Sequence, residues 1–386
     1  MAQDDVVINL DAEFEAWGGE RHQVVTTHGP ISVLVCGDQA KPALVTYPDV
    51  GLNYLACFEG LFSCPEAYSV LFHNFCIYHI DPPGHEDGAA EIPNNQPLLT
   101  VDDLADQVAE VLDHFKVHEM IGLGVGAGSY ILNLFAIKYR ERAIGLILVS
   151  PICRKPTWSE WIYNKAMINI LYYCGATSFV KDSLLQRYFS PEVRASSMGA
   201  EVLMNYRKHL DDHPSRNMMR YMQAIHQRGD ITESLAKLKC RTLVIVGENS
   251  PFHCEAVHMT NVMSRRYQVL IEVTLLNDRT SFQIICFLLN HLLNRLVGFP
   301  ESCCQTGDSY NPLGRLICRA CSLNILSFVC TGSTLWVAGD RGATTIHAGA
   351  NRVVSDVLQF LQAAVVALLT DESPQPAMRS SGVTLI

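Results

Sequence analysis

The stretch "IGLGVGAGSYILNLFAIKYRERAIGLILVSP" (Ile121–Pro151) decides the fold class of this chain of 386 residues. An apolar run over residues 120–123 predicts a strand, and a glycine-rich turn follows it. Large apolar side chains then recur at helical spacing from Tyr130 to Tyr139. A second apolar run, Ala143–Val149, predicts another strand. Strands that are apolar on both faces and alternate with helices indicate a parallel sheet covered by helices.

The flanking sequence continues this alternation. Thr100-x-x-Asp103 resembles a capping box at the start of a helix. From Ile152 to about Leu238 the sequence is aromatic and helical without a strand signal, which predicts a helical cap inserted between strands. Further strands are predicted at residues 23–36 (a hairpin), 41–47, 74–80, 241–246 and 267–276.

The charge balance and the N-terminus limit the classes of function. Lysine and arginine number 29 against 39 aspartate and glutamate residues, and no basic run is present. Nucleic-acid binding requires clustered cations and is therefore not expected. The acidic N-terminus lacks the apolar segment of a signal peptide, so we expect a cytoplasmic protein whose 14 cysteines are reduced.

Two features of the C-terminal third suggest other classes of protein. Cys303, Cys304 and the pair Cys318 and Cys321 resemble a zinc site, but one CxxC half with an adjacent cysteine pair is poor ligand geometry. We therefore expect no metal and no other cofactor. The uncharged stretch 320–339 is long enough to cross a bilayer. It contains polar residues, and we expect buried core or poorly ordered chain there rather than a membrane span.

The glycine-rich turn has the spacing of a nucleophile elbow, G-x-S-x-G, but lacks the serine. Such an elbow needs positive φ at its centre and minimal side chains two residues to either side. Gly124 and Gly128 meet the second requirement. Gly126 stands at the nucleophile position and has no Oγ for acyl transfer. The turn is therefore interpreted as a vestigial elbow.

Two functional interpretations of this turn compete with that one. A dinucleotide fingerprint, G-x-G-x-x-G, does not fit the glycine spacing, and no acidic residue stands about twenty positions later. Ser129 is a candidate displaced nucleophile, yet it falls inside the first turn of the next helix. A serine there usually makes helix-terminal hydrogen bonds, so a catalytic Ser129 is not favoured.

The other two members of a catalytic triad are also missing from their expected positions. After the strand at 241–246 the acid position holds Ser250, a vestigial acid position, and Glu248 is expected to point elsewhere. No histidine stands at residues 276–285, directly after the last predicted strand, and His291 and His347 further on are interpreted as structural or exposed. His85, in the loop that follows the strand at 74–80, is interpreted as architecture. Since triad residues act as a unit, no catalytic residue is predicted.

Several longer motifs agree in order with one family. They are "VCGDQAKPALVTYPDVGLNY", "LFHNFCIYHIDPPGHE", "YRERAIGLILVSPICRKPTWSEWIYNK" and "CRTLVIVGENSPFHCEAVHMT". With the glycine-substituted elbow, the chain resembles the N-myc downregulated gene (NDR) family of the α/β-hydrolase superfamily, in its plant branch. The resemblance covers residues 24–273 and ends there.

The resemblance implies an α/β-hydrolase fold without a catalytic triad: a mostly parallel sheet with helices on both faces and a helical cap insertion. It implies a non-enzymatic adaptor or signalling protein with protein partners, among them G-protein βγ, and a role in plant development. The alternatives are a cryptic esterase or lyase, and a small-molecule or lipid receptor. A receptor would use the former active-site pocket, with Tyr47, Asp49 and Ala127 as its expected lining.

The expected domain organisation has four parts. Residues 1–22 form an N-terminal tail, and residues 23–151 with 239–276 form the α/β-hydrolase-like domain. Residues 152–238 form the helical cap. Residues 277–386, which are rich in cysteine, leucine and isoleucine without clear periodicity, form an atypical and poorly ordered region.

Overall fold

The sheet begins with the hairpin expected around Gly29. The computed structural model describes residues 19–62, 71–195, 197–264, 267–274, 325–331, 334–339 and 342–347. Strand β1 (Glu20–Thr26) pairs antiparallel with β2 (Gly29–Cys36), with Thr26 opposite Gly29. Gly29 has a φ of +112°, a conformation that favours glycine in a tight connection. The hairpin therefore forms one edge of the sheet.

A run of parallel strands follows the hairpin in space. Strands β1 to β11 lie in the order β1-β2-β4-β3-β5-β6-β7-β8-β9-β10-β11. The strands from β4 to β9 pair in parallel, whereas β2 joins β4 and β10 joins both β9 and β11 in antiparallel pairs. The bounds of β3 to β11 are Ala43–Tyr47, Cys76–Ile80, Met120–Val125, Ala143–Val149, Arg241–Gly247, Gln268–Thr274, Ile325–Thr331, Thr334–Gly339 and Gly342–His347.

Helices connect these strands and cover them. In chain order, α1 to α10 are Tyr54–Phe62, Val101–His114, Ala127–Lys138, Trp158–Cys174, Ser178–Tyr188, Pro191–Ala195, Ser197–Asp212, Ser215–His226, Thr232–Leu235 and His253–Val262. The six helices α4 to α9 fall between β6 and β7, within the range expected for a cap. The last three strands lie within the C-terminal region for which poor order was expected. Its other residues, including the four cysteines that resemble a zinc site and His291, lie outside the described residues.

Helix α2, which follows β4 in the chain, shows how the local sequence determines where a helix begins. Thr100 accepts a hydrogen bond from the Asp103 amide, and the Asp103 carboxylate accepts one from the Thr100 amide. This capping box satisfies two amides that α2 would otherwise leave without partners. The apolar face of α2 is buried against the sheet, with Leu104, Val108 and Leu112 at most 2% exposed. The capping box expected from the sequence is present.

The parallel order determines where a functional site can lie. The carboxyl ends of β3, β5, β6 and β7 reach the same edge of the sheet, and Tyr47 pairs with Gly124 at that edge. The order in which successive strands are added to the sheet reverses between β3 and β5, and ligands bind at such points in open α/β sheets. The glycine turn after β5 lies there, beneath the cap helices.

Candidate functional site

The turn between β5 and α3 has the backbone of a nucleophile elbow. Gly126 caps α3 at φ +52° and ψ −111°, in a region that L side chains rarely adopt. Its amide donates to the Val149 carbonyl at 2.9 Å, which ties the turn to the end of β6. The sharp strand-to-helix turn is therefore present with glycine at its centre.

The two flanking glycines are required by close backbone contacts. A Cβ on Gly124 would lie 2.7 Å from the Ser129 nitrogen, and one on Gly128 would lie 2.7 Å from the Pro48 carbonyl oxygen. Both distances are shorter than the 3.0 Å that Cβ atoms keep from backbone atoms. The turn therefore packs directly against the loop after β3, with no room for side chains at these two positions.

The Asp49 carboxylate occupies the space in front of Gly126. A Cβ on Gly126 would lie 2.5 Å from both carboxylate oxygens. Asp49 Oδ1 accepts a hydrogen bond of 2.7 Å from the Ala127 amide, the first amide of α3. In a serine hydrolase the amide after the nucleophile donates to the oxyanion of the substrate. Here the protein's own carboxylate takes that donor and also caps the positive end of the helix.

A cap residue holds this carboxylate from the opposite side. Arg187, near the end of α5, donates from Nε to Asp49 Oδ2 at 2.8 Å and from Nη2 to Oδ1 at 2.9 Å. The Asp49 side chain is 4% exposed and that of Arg187 is 19% exposed. Such a two-bond pair is the strong form of the arginine–carboxylate interaction. The guanidinium also lies 4.6 Å from the centre of the Phe252 ring.

Two cap tyrosines fix the loop that carries Asp49. The Tyr188 hydroxyl donates to the Val50 carbonyl, and the Tyr221 hydroxyl donates to the Pro48 carbonyl at 3.3 Å. Together with Arg187 they join the cap to the loop after β3 at three consecutive residues. The cap is therefore closed over the elbow by hydrogen bonds.

The three residues expected to line a pocket do converge here. Asp49 is 3% exposed, and Tyr47 and Ala127 are fully buried. The Asp49 carboxylate bonds to the Ala127 amide and fills the space directly over Gly126 instead of bordering an opening. Among the described residues the Tyr47 hydroxyl has no hydrogen-bond partner. Its pKa is raised above the ordinary value, first by burial and then by Asp81, so the phenol is protonated.

Ser129 and Cys57 are the two side chains near the elbow that could serve as a displaced nucleophile. The Ser129 hydroxyl is fully buried and donates to the Gly124 carbonyl at 2.7 Å, so it faces back into β5. Burial raises the pKa of the Cys57 thiol above its usual range. A protonated thiol is a poor nucleophile. Neither group is therefore prepared to attack a carbonyl carbon.

The expected acid position lies at the end of β7. Ser250 Oγ lies 3.4 Å from the hydroxyl of Ser150, which directly follows β6 and has a φ of +47°. It also accepts a hydrogen bond from the Phe252 amide at 3.2 Å. Glu248 and Asn249 are exposed. Because Phe252 contacts Arg187, the cap arginine links the loop after β3 to this second vestigial position.

One carboxylate near this position is not marked by any local sequence motif. Glu255, on α10, accepts hydrogen bonds from Arg154 Nε at 2.6 Å and from the Cys153 and Arg154 amides at 3.3 and 3.2 Å. Burial alone raises its pKa, but the bonds from Arg154 and the two amides outweigh that effect and the pKa is lowered. All of these partners hold Glu255 as an ionised structural anchor between α10 and the chain after β6.

His85 lies under the cap and is fully buried. Its Nδ1 lies 3.3 Å from the Pro83 carbonyl, and its own carbonyl lies 2.7 Å from Nε2 of the cap residue His213. Its Nε2 has no partner within the described part of the chain. Burial, and secondarily His213, lowers the pKa of His85 to about 3. The side chain is therefore neutral and packed at neutral pH.

His85 should make the protein less stable in acid. Its folded-state pKa of about 3 lies below the ordinary 6.5, so the unfolded chain takes up the proton first as pH falls. Stability from this residue is full above pH 6.5 and is lost as pH falls from there towards 3. Going from about pH 7.5 to 5.5 should cost about 1.4 kcal/mol through His85 alone. Urea unfolding of wild type and His85→Leu at both pH values measures the difference, with exposed His118→Leu as control. An unchanged pH dependence in His85→Leu would refute this assignment.

Among the described residues, no group of three or more histidine, cysteine, aspartate or glutamate side chains is arranged to hold a metal ion. In the same part of the chain, no helix has both the length and the apolar character needed to cross a membrane.

Comparison with known sequences identifies the family. The model of the Ndr family matches residues 21–279. Protein NDL3 of Arabidopsis thaliana is 53% identical over 268 residues, which are 69% of this chain and 77% of that protein. Pollen-specific protein SF21 of Helianthus annuus is 45% identical over 301 residues, 77% of this chain and 86% of that protein. Protein NDRG2 of Mus musculus is 32% identical over 245 residues, 62% and 63% of the two chains.

Comparison with solved structures gives the same fold. A thermophilic esterase from Thermogutta terrifontis aligns with a TM-score of 0.60 at 18% identity, over 72% of this chain and 99% of that one. MGS-M2, an α/β-hydrolase enzyme from a deep-sea metagenome library, aligns with a TM-score of 0.59 at 12% identity, over 74% and 100%. At these identities the likeness shows the α/β-hydrolase fold alone. The fold class and the family predicted from the sequence are confirmed: the chain belongs to the Ndr family.

Proposed function

We propose that this chain is a non-catalytic adaptor or signalling protein that uses the α/β-hydrolase fold as a scaffold for binding other proteins. One observation supports the proposal most strongly. The Asp49 carboxylate is bonded to the Ala127 amide and to Arg187 at the point where Gly126 supplies no side chain. Acyl transfer would need the Ala127 amide as a donor to the oxyanion and a nucleophile beside it. Here the amide already donates to Asp49, and Gly126 supplies no nucleophile.

The same observation weighs against the two alternatives. A cryptic esterase would need an activated nucleophile, and the buried Ser129 hydroxyl donates to the backbone of its own strand. A receptor for a small molecule or lipid would need space over the elbow. The Asp49–Arg187 pair takes that space, and the cap is hydrogen-bonded shut over it.

A fluorophosphonate probe tests the non-catalytic part of the proposal. We expect no labelling of the purified full chain under conditions that label an active esterase, because Gly126 has no hydroxyl and the Ser129 hydroxyl is buried and bonded to the Gly124 carbonyl. Ser129→Ala serves as the matched variant, since Ser129 is the serine beside the elbow. Labelling of the wild type that disappears in Ser129→Ala would overturn the assignment.

The adaptor part of the proposal concerns a cytoplasmic role and G-protein βγ as one partner, as the likeness to plant NDR proteins implies. A purified plant Gβγ dimer is the direct probe. We expect saturable binding of the full chain to the immobilised dimer. Absence of binding would contradict this partner, and the probe experiment would still decide the non-catalytic assignment separately.

A further inference from the structure

Cap helix α4 is apolar on two opposite sides. On one side Met167, Ile168 and Leu171 are buried, and the helix packs on α8. The other side carries a second apolar surface, completed by one residue of α5. We name it the cap aromatic face; its members are between 43% and 80% exposed and are Trp158, Trp161, Ile162, Tyr172, Tyr173 and Phe179. A large exposed apolar surface on a helix normally marks a place where another molecule or more of the same domain packs.

Seven of the exposed residues of α4 form one stripe, at positions 158, 161, 162, 165, 169, 172 and 173, which repeat every three or four residues. Positions 159, 163, 166 and 174 are also exposed and lie beside this stripe. The stripe runs for about 22 Å at 1.5 Å per residue. Its aromatic members are already ordered, since the Trp158 and Trp161 rings stack at 5.6 Å and Tyr172 meets Tyr173 edge-on at 4.8 Å. This is the spacing with which one helix packs on another.

The helix is held rigidly in place. Thr157 caps its N-terminus by accepting from the Glu160 amide, and Glu160 accepts from Arg228 Nη2 at 2.8 Å. The Arg228 side chain is 2% exposed, and it also donates to the Arg154 carbonyl. Because this face does not have to be ordered on binding, less conformational entropy is lost when a partner docks.

The charge of the face differs in sign from that of the chain. The chain carries a net charge of −10, but residues 154–181 contain four lysines or arginines and one glutamate. The Glu160 carboxylate is bound by Arg228, while Arg154 and Lys181 bind Glu255 and Asp211. Lys155 and Lys165 are exposed and make no ion pair with any described residue. Lys165 lies midway along the aromatic stripe.

Three kinds of partner are compared for this face: a lipid bilayer, a second copy of the chain and a helix of another protein. The position of Lys165 distinguishes them. A helix that lies on a bilayer keeps its cations on the polar side, whereas Lys165 is in the middle of the apolar stripe. A second copy docked through the same face would bring two Lys165 side chains together near the twofold axis. A partner helix with a carboxylate in its centre meets neither obstacle and pairs with the lysine.

We infer that the cap aromatic face docks an amphipathic helix of another protein that carries large apolar residues around a central acidic residue. The inference rests on the proposed function, because it names the kind of partner that the scaffold binds. Helix-in-groove recognition uses the i, i+3, i+4 and i+7 positions of the bound helix. A single charged residue within an apolar stripe sets the register of such pairs.

A displayed peptide library tests this inference on the full chain. The peptides are helical, about 18 residues long to match the stripe at 1.5 Å per residue, with leucine and phenylalanine at helical spacing and a randomised centre. Selection on the wild type is expected to enrich aspartate or glutamate at the centre. Selection on Lys165→Glu is expected to enrich lysine or arginine instead. Such a reversal would follow from charge pairing and not from general stickiness.

Binding measurements with the enriched peptides complete the test. Lys165→Glu, Trp158→Ser and Tyr173→Ser should each weaken binding at least about tenfold, as expected for central contacts of an interface. The controls are Lys237→Glu and Met204→Ser, which change an exposed charge and a side chain that is 66% exposed elsewhere. All five side chains are exposed, so thermal unfolding is expected to match wild type.

Several results would overturn the inference. They are a failure to enrich acid-centred peptides, equal binding by Lys165→Glu, preferential binding of anionic vesicles, and dimerisation of the full chain that Tyr173→Ser abolishes. Any of these would leave the non-catalytic assignment intact. Labelling by the fluorophosphonate probe would instead remove the proposed function, so the two failures are distinguishable.

Discussion

Asp49→Ala is expected to lower the free energy of unfolding by about 3 kcal/mol, because it removes one partner of a buried ion pair. The substitution leaves the Arg187 guanidinium without its carboxylate and the Ala127 amide without its acceptor. We place the effect at the lower end of the usual range for buried pairs, since the Arg187 side chain keeps 19% of its surface exposed. Urea denaturation of the purified full chain measures the change.

Asp182→Ala is the matched control for this substitution. Asp182 binds Arg207, also within the cap, but the two side chains are 47% and 42% exposed. Its loss should cost within about 1 kcal/mol, as for surface pairs. Added acetate should raise the melting temperature of Asp49→Ala but not of Asp182→Ala, because it can replace the missing carboxylate. A loss below that of the control, or no response to acetate at matched ionic strength, would contradict the assigned role of Asp49.

A double-mutant cycle measures the interaction between Asp49 and Arg187 separately from their contacts with the rest of the site. Arg187→Met removes the charge and keeps an apolar side chain of similar length. In that background Asp49→Ala no longer strands a cation, so its cost should fall to that of the lost Ala127 hydrogen bond, about 1 kcal/mol. Simple additivity of the two substitutions would show that Arg187 does not hold Asp49 in solution.

The elbow could be predicted from the sequence because its constraints are local. Gly124, Gly126 and Gly128 lie within five residues, and each is required by positive φ or by backbone contact. The capping box at Thr100 and Asp103 is local for the same reason. In such cases the spacing of residue types fixes the geometry, and the three-dimensional contacts follow from it.

The group that fills the site could not be predicted in the same way. Asp49 and Arg187 are 138 residues apart, and nothing in the short motif around Arg187 marks it as a partner of the elbow. Asp49 was expected to line a pocket, which is the usual place for a polar residue after this strand. Only the path of the cap over the sheet shows that Arg187 meets the Asp49 carboxylate. The contacts of Glu255 and the exposure of the cap aromatic face likewise depend on how distant segments pack, which no local motif encodes.

Gly126→Ser is expected to give an unstable protein, not a restored enzyme. The new Cβ would lie 2.5 Å from both Asp49 oxygens, at a φ of +52° that serine adopts only with strain. The left-handed conformation costs about 1–2 kcal/mol and the forced repacking about as much again, so we expect a loss of about 3 kcal/mol. Ester turnover should stay at the level of heat-inactivated protein, because a serine without a base is not activated.

Gly88→Ser is the control that measures the backbone strain without the collision. Gly88 has a φ of +68°, and a Cβ there would meet nothing within 4 Å. Its substitution should cost only the backbone penalty, about 1–2 kcal/mol. In an Asp49→Ala background the colliding atoms are gone, so Gly126→Ser should then cost no more than Gly88→Ser. If Gly126→Ser costs as much in that background as alone, the collision with Asp49 is not its cause. If it hydrolyses activated esters with a burst, the site has retained catalytic groups that this structure assigns to packing.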